Sequence, residues 1–249
     1  MTGAGARGAG AEGRGPDAAA EGPSGLRGIR DAWASIAGAL AFRYAAYAAM
    51  TAMALWAETR PAPTLPDLVL AHVPYVAWID RVNYWLWLAV YLPLAAALLW
   101  REPRRWVRYM VTGGLVSLAR GVTIALTGMG PPDPAHAGPG IGGRTFLEAW
   151  LELLTPAGVF QRGAIAAYLT KDLFFSGHVA TTFLLWLYLR GRSRLAPVAL
   201  AASLVVAASV LLSHIHYAVD VVGAWAVTFA IFALREGWPS PSRGGPRPS

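Results

Sequence analysis

Six apolar stretches, at about 33–57, 83–100, 106–128, 174–190, 195–213 and 217–234, dominate this 249-residue chain. Each approaches the roughly 17–25 residues that a helix needs to cross a hydrocarbon core of about 30 Å. Backbone N–H and C=O groups in lipid must be satisfied within the segment, so the stretches are expected to be helices. The fold class that follows is an all-α integral membrane protein of six transmembrane helices. Composition agrees: 55% of residues are hydrophobic and 14% charged, which leaves a water-soluble globule of this size short of polar cover. Trp33, Trp56, Tyr84, Trp85, Trp100 and Trp106 cluster near stretch ends, as interfacial aromatics do. Residues 1–30, rich in Gly, Ala, Arg and Pro, read as a disordered N-terminal tail. Residues 31–236 form the membrane domain, and 237–249 a second disordered tail. With no cysteine in the chain, disulfides and thiolate metal sites are excluded.

Basic residues set the expected orientation. Fourteen arginines fall in the tails and in the loops sharing their side, against five basic residues on the other side. Positive residues stay cytoplasmic, so both termini are expected inside. Arg43 and Arg120 are left within the membrane. The basic residues are scattered between apolar runs, which excludes a nucleic-acid partner. Twenty of the 21 are Arg, a bias that points to a GC-rich, bacterial coding sequence and hence a bacterial cytoplasmic membrane.

Ionisable groups inside spans are costly and need a reason. The fourth span opens on Lys171-Asp172-Leu173-Phe174-Phe175-Ser176-Gly177-His178, and the sixth on His214-Ile215-His216-Tyr217-Ala218-Val219-Asp220. His178, His216 and Asp220 therefore meet at one depth, on the outward face. His216 and Asp220 stand at i and i+4, which on a helix brings their Cβ atoms to about 5–6 Å. A carboxylate there accepts one imidazole N–H and frees the other nitrogen as nucleophile or base. A second imidazole supplies an acid, and the planar fork of Arg120 suits phosphate oxygens. The set describes phosphoryl transfer through a phosphohistidine. The structural alternatives are a polar pair that locks helices together and, for Arg120, an ion pair with Asp172.

These residues carry a resemblance. Phe175-Ser176-Gly177-His178 with His216-x-x-x-Asp220-Val221 is similar to the core of the type 2 phosphatidic acid phosphatase superfamily, and within it most resembles the sphingomyelin synthase family. Leu65-Pro66-Asp67, the set Arg108, Gly114, Arg120 and Thr123, the run Asp172 to His178, and His214-x-His216-Tyr217-x-Val219-Asp220-Val221 follow that family's four motifs in order. The resemblance implies six helices around a reaction chamber open to the outer leaflet. It implies transfer of a phosphocholine or phosphoethanolamine group from a glycerophospholipid to ceramide or another lipid alcohol, without metal or other cofactor. His216 would attack phosphorus, Asp220 would orient it, and His178 would protonate the leaving diacylglycerol oxygen. Arg120, Asp172, Ser176, Gly177, Tyr217 and Asp67 are the expected substrate-binding residues. The partners implied are membrane phospholipid and lipid alcohol.

The chain departs from both branches. Val210 stands where the phosphatases carry an Arg six residues before the second His, and their Lys-rich first motif is missing. Against the synthases, Thr64 replaces a Pro and Lys171 a Gly, and a Pro-rich stretch at 131–139 follows the second motif. A lipid phosphatase or phospholipase C using the same His/His/Asp site is the alternative, and a transporter with a His/Asp/Arg relay is a third reading. His72 and His136 read as satisfied interfacial side chains, and His214 stands between site edge and structure. Glu148 and Glu152 belong to the long outer loop, with one of them a candidate to lean over the site. Oligomeric state is left open.

Overall fold

The computed structural model describes residues 24–138, 140–156, 158, 169–191 and 193–237. Among these residues the regular structure is helical: α1 (Gly25–Asp31), α2 (Trp33–Glu58), α3 (Ala77–Arg101), α4 (Pro103–Thr127), α5 (Phe146–Leu154), α6 (Gly177–Leu189), α7 (Ala196–Leu212) and α8 (Ala218–Glu236). Most of the expected N-terminal tail and nearly all of the C-terminal one lie outside the described residues. One part of the tail differs from expectation: Gly25–Asp31 is helical, with Gly25 packed on the Trp100 ring.

Local chemistry sets the boundaries. Pro103 starts α4 directly after Glu102, because a proline at the first helical position gives up an N–H that has no partner there. The same helix stops at Gly128, whose φ of 56° is the left-handed cap that glycine takes at low cost. Pro61 and Pro63 follow α2 and prevent its continuation.

Among the described residues three helices are long and apolar enough to cross a membrane: α3, α4 and α8. The chain is consistent with an integral membrane protein on that basis. The six spans expected from sequence are not all confirmed, since α2, α6 and α7 fall outside that set. α2, 26 residues long, carries Arg43 and several tyrosines and tryptophans that lower its apolar character. α6 and α7 are apolar but short, at 13 and 17 residues. The fourth stretch was expected to be helical from 174, whereas Leu173 to Ser176 is non-helical and α6 begins at Gly177. Non-helical backbone at such depth is tolerated where protein buries it, and Leu173, Phe175 and Ser176 are at most 2% exposed.

The six longer helices alternate in direction. At one end Gly25 meets Trp100, Tyr188 donates to Glu236 Oε1 (2.6 Å), and Arg108 pairs with Glu236. At the other, the Val76 amide donates to the Leu212 carbonyl (2.8 Å) and that of Gly130 to the Pro63 carbonyl (2.9 Å). The main core runs between α4, α6, α7 and α8, with Leu94 and Leu98 of α3. Small residues bring α2 and α4 close: a Cβ on Gly114 would stand 2.5 Å from the Phe42 ring, and one on Gly121 3.0 Å from Met50 Cα. Such small-residue seams suit helices in lipid, where dispersion replaces the hydrophobic drive. Asn83 to Ser209 (2.9 Å) and Trp87 to Thr181 (3.0 Å) add hydrogen bonds between helices. Trp33, Trp78, Leu126 and Leu234 lie more than half exposed on the outside, an apolar surface suited to lipid.

Candidate functional site

The site forms where the non-helical segment before α6 meets the start of α8. Asp220, fully buried, sits in the first turn of α8. Its Oδ2 accepts from the Tyr217 amide (2.9 Å) and lies 3.1 Å from His216 Nδ1. One carboxylate oxygen thus caps the helix start and holds the imidazole. The sequence expectation of a shared helix face is corrected here: His216 precedes α8, and the i,i+4 pair is closed across the helix start. His216 is 5% exposed.

Tyr217 and Asp67 tie this corner to the outer loops. The Tyr217 hydroxyl accepts from the Leu65 amide and donates to the Gly130 carbonyl, both at 2.9 Å. Asp67 Oδ2 accepts from the Ala218 amide (2.6 Å), while its Oδ1 takes the amides of Val69 and Leu70. Both residues position the site through backbone.

Arg120, expected to hold phosphate, is 8% exposed and is engaged with protein. Nε donates to the Phe175 carbonyl (2.7 Å), Nη2 to the Asp172 carbonyl (2.5 Å) and carboxylate (3.0 Å), and Nη1 lies 3.2 Å from Met50 Sδ. Thr123, one turn on, donates to the Phe174 carbonyl (2.7 Å). The guanidinium also lies directly beneath Gly177, where a Cβ would stand 3.3 Å from Nε. Arg120 and Thr123 of α4 therefore shape the 172–177 segment from below.

Ser176 joins the two halves: its amide donates to the Asp220 carbonyl (3.2 Å). Two buried side-chain oxygens here, Ser176 Oγ and Asp220 Oδ1, have no hydrogen-bond partner among the described residues. His178 follows in the first turn of α6, its ring edge-on to Trp87 (4.8 Å between centroids) and to Tyr84 (6.0 Å) of α3. Trp87 also donates to Thr181, one turn below, so α3 supplies an aromatic wall locked to α6.

Sequence reasoning missed Glu58. Its carboxylate, at the end of α2, accepts the amides of Thr170 and Lys171, and Lys171 Nζ donates to the carbonyls of Glu58 (3.0 Å) and Arg60 (2.5 Å). An acid closing an apolar stretch was the available signal. Glu148 and Glu152 do not reach the site: Glu148 closes a capping box with Thr145, and Glu152 pairs with Arg144 at 3.6 Å. His214 Nε2 lies 2.9 Å from the Val73 carbonyl, a structural placement. His72 is held by the Leu68 carbonyl (2.8 Å), and His136 stands 3.6 Å from Asp80.

The segment that holds Asp172, Ser176, Gly177, His178, His216, Tyr217 and Asp220 is also the part of the chain with a known likeness. Residues 171–236 match the PAP2 superfamily C-terminal family. The match supports the type 2 phosphatidic acid phosphatase superfamily, and with it an enzyme of lipid phosphatase or phosphotransferase type. No curated protein matches the chain. Among the described residues no group of three or more His, Asp or Glu side chains is placed to hold a metal ion.

Proposed function

We propose that the chain is a lipid head-group phosphotransferase of the sphingomyelin-synthase type, working through a phosphohistidine. The observation that carries the reading is the buried His216–Asp220 pair, joined by the Ser176–Asp220 backbone bond to the turn that leads into His178. With Nδ1–H held by the carboxylate, His216 Nε2 keeps its lone pair and is the nucleophile. It forms the P–N bond as the bond from phosphorus to the diacylglycerol oxygen breaks, and the His178 imidazolium gives that oxygen its proton. In the second half an acceptor hydroxyl passes its proton to His178, its oxygen bonds phosphorus, and the P–N bond breaks. In this reading Asp172, Arg120, Asp67 and Tyr217 position the machinery, and Ser176 and Gly177 are the proposed contacts to substrate oxygens. The substrates are a membrane phospholipid and a lipid alcohol, reached from the outer leaflet with both termini inside.

Hydrolysis is the second reading, favoured by the phosphatase character of the matched superfamily. Water then replaces the lipid alcohol and the first half-reaction is unchanged. One experiment separates the two. Purified protein in detergent is given phosphatidylcholine or phosphatidylethanolamine, with and without ceramide, and products are read by mass spectrometry beside the His216→Ala variant. A phospho-head-group sphingolipid and diacylglycerol, formed only with ceramide and absent in the variant, is the expected result. Free phosphocholine or phosphoethanolamine with or without ceramide makes the chain a phospholipase C. Full turnover by the variant refutes both readings.

A further inference from the structure

Gly138 and Thr170 meet at the outer end of α2. The Gly138 amide donates to Thr170 Oγ1 (3.3 Å), and the Thr170 amide to the Glu58 carboxylate. Between them in sequence, α5 lies far below that end. The Tyr47 hydroxyl donates to the Leu153 carbonyl (3.2 Å), that of Tyr44 to the Leu154 carbonyl (2.7 Å), and the Trp150 indole to the Ala48 carbonyl (2.9 Å). Tyr44 and Tyr47 flank the midpoint of α2, and stand about 21 and 16 Å short of Glu58 at 1.5 Å per residue. That midpoint is level with the centre of α4, a helix long enough to span, because the Phe42 ring lies against Gly114.

Lipid offers no donor to the last carbonyls of a helix, so at this depth protein must supply them. The two tyrosine hydroxyls do so for α5. Ala149 and Leu153 bury its inner face with Met50, Ala54 and Leu55 of α2. Leu147 and Leu151, four apart, form an outer stripe 58% and 51% exposed. The carboxylates occupy another stripe and are engaged, Glu148 with Thr145 near the surface end and Glu152 with Arg144. We propose that α5 is a re-entrant membrane helix. It descends from the side of the candidate site to mid-membrane and sets Leu147 and Leu151 against the acyl chains of lipid in that leaflet. Its nine residues, about 13 Å, match half of a 30 Å hydrocarbon core. The inference stands whether or not the proposed transfer is correct.

The chain has no cysteine, so single nitroxide labels can be placed by substitution. Leu151→Cys, Leu147→Cys, Leu92→Cys and Ala135→Cys are labelled and reconstituted into phosphatidylcholine vesicles. Electron paramagnetic resonance then reads collisions with oxygen, which concentrates in hydrocarbon, and with a water-soluble nickel chelate. Leu92, 47% exposed near the middle of α3, is the lipid reference, and the exposed Ala135 the aqueous one. The Leu151 label should match that at Leu92, with nickel collisions about tenfold rarer than at Ala135, because a polar solute is scarce in hydrocarbon. The Leu147 label, one turn higher, should read shallower. In the native chain, where no variant has to fold, phosphatidylcholine carrying a diazirine within its acyl chain should leave adducts on Leu147 or Leu151. Nickel access at Leu151 equal to that at Ala135, a Leu151 label no deeper than the Leu147 label, or the absence of adducts on α5 overturns the proposal. Low access to both reagents also overturns it, since protein such as a second copy then covers the stripe.

Discussion

At Asp220 one carboxylate oxygen serves both the His216 ring and the Tyr217 amide, while the other, also buried, bonds none of the described residues. Replacing the acid by Asn removes the charge from that shared position: with the amide oxygen there both bonds persist without it, and with the NH₂ there the Tyr217 amide loses its acceptor and the imidazole meets an N–H that favours the wrong tautomer. Asp220→Asn should lower turnover by about 10²–10⁴-fold with lipid binding little changed. The measurement is diacylglycerol release at saturating lipid, and a native rate would remove Asp220 from the chemistry. The identity of this pair was legible from sequence because His and Asp stood four apart at the mouth of an apolar run. Its geometry was not, since a spacing of four does not reveal that the helix starts between the two. Arg120 shows the same gap: its place in the third stretch was readable, but its bonds to the Asp172 and Phe175 carbonyls depend on backbone no pattern encodes.

Helix pairs carry the next level of argument. The seam of α2 and α4 relies on Gly114 and Gly121, which stand seven apart and so share a face. Gly121→Leu would force a branched side chain into Met50 backbone and should destabilise the fold by roughly 1–3 kcal/mol, as overpacked cores do. Thermal unfolding in detergent reads this out, and an unchanged midpoint would mean the seam yields. The start of α5 offers a test by pH. The Thr145 amide and then its hydroxyl hold the Glu148 carboxyl below its ordinary 4.5. A lowered carboxyl favours the folded turn when ionised, so the capping box is intact above that ordinary value and is lost as pH falls through the lowered one. Hydrogen exchange in the first turn of α5, corrected for intrinsic rates, should speed up across that window, and Glu148→Gln should abolish the step. Element boundaries were the less legible part of the sequence. Hydropathy marks where a chain is apolar, and 174–176 is apolar without being helical because Arg120 and Thr123 take its carbonyls.

For the molecule as a whole, the asymmetry of arginines argues for a site facing outward. A reporter placed in the 131–138 loop should be labelled from outside intact cells by an impermeant reagent, and protection there would invert the orientation. The up-and-down helical plan was readable from six apolar runs, since backbone in lipid has few options. The shortness of α6, unequal to its neighbours, was not, because its apolar stretch is extended in sequence by Phe174 to Ser176, which the structure spends on the site.

That inequality reaches beyond the protein. α6 has 13 residues, a length of about 20 Å against a hydrocarbon core of about 30 Å. If its Leu189 end rests at the inner boundary, the turn bearing His178 hangs well below the plane in which lipid phosphates stand. The surrounding bilayer must pinch, or each substrate must sink, before the reaction begins. Host thickness then becomes a kinetic variable. Reconstituted into phosphatidylcholines of increasing acyl length, the protein should turn over fastest in the thinnest bilayers, coupling the proposed head-group chemistry to the physical state of its membrane.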